Sequence, residues 1–152
     1  MKPSLSHADA ADVANLTFKL LASCQKKEER VAQQFSLTVN EFRVLRAFRT
    51  SHTLHVKNLI EDIGLGGSSF SKIAGSLETK GLLARSIEPQ DRRSVRVSLT
   101  AKGAALSQKL ESRYVEIHED ILRDIPADLH PAIVRGLEHL VQSLDKWLHE
   151  EP

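Results

Sequence analysis

The stretch at residues 81–103 constrains the fold most, because its apolar residues recur at nearly every second position on both sides of a short break. An alternation of this period is typical of β-strands, which predicts strands at residues 83–88 and 95–99. The break at 89–94 reads PQDRRS, and its proline, aspartate and serine favour a turn. The sequence therefore predicts a two-stranded hairpin, whose tip carries Asp91, Arg92 and Arg93.

Two short helices are predicted directly before this hairpin. Residues 55–63 and 68–80 both repeat apolar side chains at helical spacing, and a glycine-rich run at 64–67 separates them. A helix, a tight turn and a second helix form the helix-turn-helix pattern. On the second helix, small hydroxyls and one cation occupy the polar side, where they suit base edges and phosphates. These polar residues are Ser68, Ser69, Ser71, Lys72 and Ser76.

Three motifs in this segment resemble those of the MarR family of bacterial transcription regulators. They are LExKGLLxR at 77–85, DRR at 91–93 and LTxKG at 99–103, and the run LTxxEFxVL at 37–45 is similar to the family's second helix. The resemblance implies a mainly α fold with a winged helix-turn-helix core, a two-stranded β wing and long dimerisation helices at both ends. It also implies a transcriptional regulator, for which no cofactor is expected.

The resemblance further implies a homodimer that places two recognition helices in successive major grooves of double-stranded DNA. The operator would then be a pseudo-palindrome with half-sites about 10 bp apart. The five polar residues of the second helix are the expected groove contacts. At the wing, Asp91, Arg92 and Arg93 are expected to act together, with one arginine in the minor groove and the other paired with Asp91. Repression is the family's common mode, relieved when a small phenolic or other anionic ligand binds between the dimerisation region and the winged domain.

The recognition helix departs from the family pattern at four positions. Gly66 and Gly67 stand where Ser or Thr usually opens the helix, and Gly75 and Ser76 stand where an acidic–basic pair is common. A glycine inside a helix costs about 1 kcal/mol relative to alanine. We expect these changes to affect base preference more than DNA binding itself.

Amphipathic segments on both sides of this core predict the dimerisation helices, so we divide the chain at 1–36, 37–100 and 101–152. The first helix is expected over about 9–34 and the next from a Thr100 cap to about residue 123, followed by a last helix near the C-terminus. The apolar stripe of that last helix is too wide for one covering surface, which favours contact with a second copy. Its members are Leu129, Ile133, Val134, Leu137, Leu140, Val141, Leu144, Trp147 and Leu148.

The second helix has a marked beginning. Thr38 and Glu41 have the T-x-x-E spacing of a capping box, in which each side chain bonds the backbone N–H of the other. Three arginines follow at every third position, Arg43, Arg46 and Arg49. Solvated surface is expected for at least two of them, with a ligand cleft or a phosphate contact as the alternative.

The formal net charge of +1 hides an uneven distribution. Residues 64–109 contain eight basic and three acidic side chains, a net +5, whereas residues 111–152 contain four basic and ten acidic ones, a net −6. A basic surface around the wing favours nucleic acid, and the acidic end would stay away from it. The sequence has neither an apolar run of bilayer length nor the pattern of a signal peptide, so we expect a cytoplasmic protein.

Other functions rest on fewer residues. Cys24 lies on the apolar stripe of the first helix with Lys26 and Lys27 nearby, so core packing is favoured, and a redox-sensing regulator stays an alternative. The seven histidines show no zinc-ligand spacing, and neither a phosphate loop nor a nucleophile motif indicates an enzyme. A winged-helix module that binds proteins rather than specific DNA is a further alternative.

Overall fold

A computed structural model of the chain describes residues 6–91 and 93–150. Helices dominate this part, and three short strands form an antiparallel sheet, so the expected mainly α winged-helix fold is confirmed. In chain order the elements are α1 (His7–Gln34), α2 (Val39–Ala47), β1 (Thr53–His55), α3 (Val56–Ile63), α4 (Gly67–Thr79), β2 (Leu83–Ile87), β3 (Val95–Leu99), α5 (Ala101–Arg123), a 3-10 turn (Ala127–Leu129) and α6 (His130–His149).

The wing is the β2–β3 hairpin, and a third strand extends its sheet. β3 is central, with β2 on one side and β1 on the other, both antiparallel to it. The sequence predicts only the two strands of the hairpin and does not predict β1. It also predicts that the first helix of the helix-turn-helix begins at His55, whereas His55 is the last residue of β1 and pairs with Arg96. A strand of three residues is too short to show alternation, and its register depends on β3 rather than on local sequence.

Apolar side chains of the predicted stripes form the core around the helix-turn-helix. Phe42 and Leu45 of α2, Leu59 of α3, Leu77 of α4 and Val97 of β3 are all fully buried. Burial of each large side chain stabilises the fold by about 1.5–3 kcal/mol relative to exposure. These residues therefore hold α4 and the central strand of the wing on a common support.

The chain forms two compact units, and the division between them falls inside α5, after Glu111. In the first unit, the buried residues of α1 are Val31 and Ala32, close to its C-terminal end, while the apolar side chains of its N-terminal half are exposed. In the second unit, α6 has no buried residue. No helix in the described part of the chain is long and apolar enough to cross a membrane.

The LTxKG motif joins the end of α4 to the start of α5. The hydroxyl of Thr100 donates to the Gly81 carbonyl at 2.6 Å, and the Thr100 N–H donates to the Leu82 carbonyl at 3.1 Å. Lys102 Nζ donates to the Lys80 carbonyl at 2.9 Å. Gly81 has a φ of 72°, a left-handed conformation that glycine adopts without strain. The motif therefore fixes the point at which the chain leaves α4 and enters the wing.

Gly103 allows the first turn of α5 to approach this junction closely. Its N–H donates to Thr100 Oγ1 at 3.0 Å, which confirms the cap predicted at Thr100. A Cβ at Gly103 would lie 2.0 Å from the Leu82 carbonyl oxygen. Because that oxygen belongs to the backbone, it cannot move aside without shifting β2.

We expect Gly103→Ala to lower the free energy of unfolding by about 3 kcal/mol, because the added methyl group overlaps a backbone carbonyl. Chemical denaturation followed by far-UV circular dichroism measures the change. The control is Gly75→Ala in α4, where a Cβ meets no atom within 4 Å. That substitution should raise stability by up to about 1 kcal/mol through helix propensity. Equal stabilities of Gly103→Ala and the wild type would contradict the close approach.

Candidate nucleic-acid interface

The helix-turn-helix consists of α3 and α4, joined by a turn that glycine makes possible. Gly64 ends α3 with a φ of 66°, and the Leu65 N–H donates to the Ile60 carbonyl at 3.2 Å. Glycine is favoured at such a helix end because the left-handed region is strained for other residues. α4 then begins at Gly67, one residue before the predicted start.

α4 buries one side and exposes the rest of its circumference. Phe70, Ala74 and Leu77 are buried at helical spacing, as the sequence predicts. Gly75 is at helical spacing from Ser68 and from Lys72, so it leaves a notch on the outward side. All five of the predicted contacts on this helix are exposed, namely Ser68, Ser69, Ser71, Lys72 and Ser76.

The first turn of α4 has no side chain that caps it. Gly66 occupies the N-cap position without a side-chain hydrogen bond, and a Cβ at Gly66 or Gly67 would meet no atom within 4 Å. The amide groups of a helix N-terminus and its partial positive charge attract anions such as phosphate. The two glycines therefore leave this end open to a close approach from outside the protein.

Among the predicted contacts on α4, Ser76 has a side-chain partner within the described structure. Its hydroxyl donates to Glu41 Oε1 at 2.6 Å, and Lys80 Nζ donates to Glu41 Oε2 at 2.8 Å. The same Oε2 accepts the Thr38 N–H at 2.9 Å, while Thr38 Oγ1 accepts the Glu41 N–H at 3.2 Å. The predicted capping box of α2 is confirmed, and its carboxylate also holds the C-terminal part of α4.

Glu41 remains ionised although only 2% of its surface is exposed. Burial by itself would raise the pKa of Glu41, but hydrogen bonds from Lys80, from Ser76 and from the Thr38 backbone outweigh it. Together with the Lys80 charge, they hold the pKa of Glu41 below its ordinary value of 4.5. A lowered folded-state pKa means that the stabilisation is complete above that ordinary value and is lost as the pH falls through the lowered one.

Arg85 of the LLxR motif ties the wing to α4. Its guanidinium group pairs with Glu78, and its Nη2 donates to the Ser71 carbonyl at 3.1 Å. Local sequence does not predict this role of Arg85, because the pair forms only once the chain has turned back at Gly81. These two contacts therefore link β2 of the wing to α4.

The wing tip is a turn closed by its own backbone. The Glu88 N–H donates to the Ser94 carbonyl at 3.0 Å, and the Asp91 carboxylate accepts the Arg93 N–H at 2.9 Å. Asp91 therefore stiffens the tip through a contact with the Arg93 backbone. The pairing of Asp91 with an arginine side chain, expected from the sequence, stays a prediction. Arg93 is exposed, and Arg92 lies outside the described residues.

A cavity of about 650 Å³ lies between α3 and the wing turn. Its lining combines the apolar residue Ile60 with the basic residues Lys57 and Arg93 and with the acidic residues Glu61 and Asp91. His55, also in the lining, has Nδ1 3.3 Å from Ser94 Oγ and so connects β1 to the wing. Lys57 is not predicted from sequence, because only the fold brings this residue of α3 to the same cavity as Arg93.

Of the three arginines predicted on the second helix, the two that lie on α2 pair with neighbouring helices, and Arg49 lies beyond the end of α2. Arg43 pairs with Glu28 of α1 at 2.7 Å, and Arg46 pairs with Glu111 of α5 at 3.2 Å. The expectation of solvated surface for at least two of the three is therefore wrong, and Arg49 is the exposed one. The carboxylates that bind them are distant in sequence, so local spacing gives no sign of the pairs.

Cys24 is half-buried on α1, and Lys27 Nζ lies 3.9 Å from its Sγ. The contact neither requires nor excludes oxidation of the thiol, so the redox alternative stays a prediction. Among the described residues, no three His, Cys, Asp or Glu side chains are grouped as metal ligands.

Known proteins are similar to this chain across the same region. The MarR family model matches residues 35–94, from the end of α1 to the wing turn. The HTH-type transcriptional regulator SarZ of Staphylococcus haemolyticus is 25% identical over 118 residues, 78% of this chain and 79% of that protein. SarZ of Staphylococcus aureus is 27% identical over 95 residues, 62% of this chain and 64% of that protein.

Solved structures share the fold at lower identity. A MarR family protein from Bacillus stearothermophilus has a TM-score of 0.82 at 18% identity, covering 93% of this chain and 99% of that one. The Staphylococcus aureus MepR–DNA complex has a TM-score of 0.72 at 19% identity, covering 87% and 97%. The relatives found are transcriptional regulators rather than enzymes. The motifs, the family model over residues 35–94 and the fold agree, and together they support a MarR family winged helix-turn-helix regulator.

Proposed function

We propose that the chain acts as a homodimer on a pseudo-palindromic DNA operator, with α4 in the major groove and the wing tip in the adjacent minor groove. The observation that carries the proposal is the placement of two cations. Lys72 on α4 and Arg93 on the wing tip are exposed, and neither side chain forms an ion pair with the described residues. The MepR neighbour is a complex with DNA, which supports DNA as the partner.

Each part of the surface has a distinct role in this proposal. The hydroxyls of Ser68, Ser69 and Ser71 meet base edges or phosphates, and Lys72 meets a guanine or a phosphate. The uncapped N-terminus of α4 receives a phosphate oxygen. Arg92 and Arg93 serve the wing, where a narrow minor groove attracts cations, and Asp91 holds the shape of the tip. Ser76 is exposed, but its hydroxyl bonds the buried carboxylate of Glu41, so it acts through that contact instead of touching DNA.

Selection of bound duplexes from a random DNA pool tests this function. We expect enrichment of an inverted repeat with half-sites about 10 bp apart, because two symmetry-related helices occupy successive major grooves. Lys72→Ala and Arg93→Ala should each reduce the log–log salt slope of operator binding by about one, as one phosphate neutralisation is lost. Lys146→Ala, on the polar side of α6, makes the same change in net charge and should leave the slope unaltered.

Salt-sensitive binding without any enriched sequence would contradict sequence-specific regulation. A winged-helix module that binds proteins would then account better for the fold. Unchanged slopes in both the Lys72 and Arg93 variants would instead contradict the assignment of α4 and the wing.

The homodimer is proposed because the terminal helices expose large apolar side chains. Phe18 of α1 is 75% exposed and Trp147 of α6 is 69% exposed. A stable interface of standard size buries about 800 Å² on each partner, and we propose that residues 1–36 and 101–152 supply it. Other exposed apolar residues there are Val13, Leu16, Leu20 and Leu21 of α1 and Val134, Leu137, Leu140, Val141, Leu144 and Leu148 of α6.

We expect Leu144→Glu to raise the dimer dissociation constant at least about 100-fold, since burying an unpaired charge costs several kcal/mol. Sedimentation equilibrium over a range of concentrations measures it. Gln142→Glu adds the same charge on the polar side of α6 and should leave the constant near the wild-type value. A Leu144→Glu dimer as tight as the wild type would exclude this side of α6 from the interface.

Repression follows most simply from occupation of the operator, because a bound dimer covers DNA that polymerase needs. Activation by displacing another DNA-binding protein would use the same residues. Regulation by oxidation of Cys24 is the alternative to regulation by a ligand. Replacement of the Cys24 thiol would then abolish the response of the protein to oxidants.

Relief by a small anionic ligand is proposed at the cavity between α3 and the wing. Its apolar wall at Ile60 suits an aromatic ring, and Lys57 and Arg93 suit a carboxylate or phenolate. A ligand there would occupy Arg93, the cation that the DNA backbone also needs. Binding of ligand and of operator would therefore be mutually antagonistic, and by equal factors.

Salicylate is a suitable probe, since it combines one ring with one carboxylate. We expect it to weaken operator binding, and Lys57→Ala to reduce salicylate affinity by about tenfold through loss of one charge-assisted contact. Isothermal titration calorimetry measures the affinity. Lys72→Ala, on α4, should bind salicylate as the wild type does. Equal salicylate affinities of the Lys57→Ala and wild-type proteins would place the ligand elsewhere.

A further inference from the structure

A single carboxylate, that of Glu41, joins the start of α2 to the end of α4. Oε1 accepts the Ser76 hydroxyl, and Oε2 accepts both Lys80 Nζ and the Thr38 N–H. The Thr38 contact belongs to the capping box, so the backbone of α2 sets the position of the carboxylate. The two donors from α4 therefore bind an acceptor that cannot follow them if α4 shifts.

We propose that Ser76, Glu41 and Lys80 form a positioning cluster that fixes the orientation of α4 for DNA binding, so that Ser76 affects the operator without touching it. This inference rests on the proposed DNA-binding function of α4. It assigns to Ser76 a role that its place on the polar side of a recognition helix does not suggest.

The contacts of Lys80 strengthen the cluster. Its ammonium group donates to the Ser36 carbonyl at 3.2 Å as well as to Glu41 at 2.8 Å. Ser36 has a φ of 55°, a left-handed conformation at the turn between α1 and α2. The last turn of α4 is thus bound to both the turn before α2 and the first turn of α2.

Distance along the helix explains why this end matters for DNA. Ser68 lies eight residues before Ser76, which is about 12 Å at 1.5 Å per residue. A small tilt of α4 about its C-terminal end would therefore displace the N-terminal serines from the groove. Misplacement of a contact group by about 1 Å is enough to lose a hydrogen bond of good geometry.

The experiment measures affinity for the operator enriched from the random pool, by fluorescence anisotropy. Ser76→Ala should weaken binding by about fivefold, and Ser76→Thr, which keeps the hydroxyl, should bind as the wild type does. Ser76→Ala introduced into Glu41→Ala should have almost no further effect, because the two groups act through one contact. Repeated selection with Ser76→Ala should enrich the same bases, since no base contact is lost.

A matched control separates positioning from general stability. Ser107 of α5 is 8% exposed, and its hydroxyl donates to the Leu45 carbonyl of α2 at 3.3 Å. Ser107→Ala removes a hydroxyl bond to the same helix α2 without affecting α4. It should lower stability at least as much as Ser76→Ala while leaving operator affinity unchanged.

Three results would overturn the inference. They are wild-type affinity of Ser76→Ala, additive effects of the Ser76 and Glu41 substitutions, or altered base preference at one operator position in Ser76→Ala. The last would mean that Ser76 contacts a base. If Glu41→Ala does not fold, the comparison of Ser76→Ala, Ser76→Thr and Ser107→Ala still decides the question.

Failure of the proposed function has a different signature. If the wild type enriches no sequence, α4 does not bind DNA sequence-specifically, and this result does not depend on the role of Ser76. Hydrogen exchange of the free protein then tests the cluster alone. Ser76→Ala should speed amide exchange in the last turn of α4, and an unchanged rate there would exclude the tie between α4 and α2.

Discussion

The junction between the end of α4 and the start of α5 is the constraint on which the DNA-facing surface depends. A helix end leaves its last carbonyl groups without partners in the helix. Here the carbonyls of Lys80, Gly81 and Leu82 accept hydrogen bonds from Lys102 and Thr100. The same bonds determine where the wing begins. Helix and wing therefore have one fixed relation, and the proposed contact of both with DNA requires no change in it.

Ion pairs within the protein reduce the basic surface that the charge count of this segment suggests. The count of +5 over residues 64–109 suggests a broadly basic surface, but three of those cations have internal partners. Lys80 pairs with Glu41, Arg85 with Glu78 and Arg96 with Glu88. These pairs hold strands and helices together and contribute little field at a distance. Attraction to DNA is thus concentrated on few side chains, and their placement counts for more than the total.

Local signals account for most of what could be predicted from sequence. The period of two in β2 and β3, the glycine break before α4 and the capping box of Thr38 each depend on neighbouring residues, and all are present in the structure. β1 and the partners of Ser76 and Arg43 escaped prediction for the opposite reason. Glu41 and Ser76 are 35 residues apart, and Arg43 and Glu28 are 15 apart. Such contacts form only after the helices have packed. The local sequence pattern therefore does not show that a side chain on the polar face of a helix forms a hydrogen bond to a neighbouring helix.

The open space around the glycines of α4 bears on how this regulator can change its target. A side chain added at Gly66, Gly67 or Gly75 would meet nothing in the protein within 4 Å. Substitutions there need no compensating change in the core, unlike substitutions at the buried positions of the same helix. Mutations at these glycines can therefore introduce new side chains on the exposed side of α4 without disturbing the buried side chains that hold the helix. The three positions therefore form a set at which the base preference of the proposed interface can be redesigned.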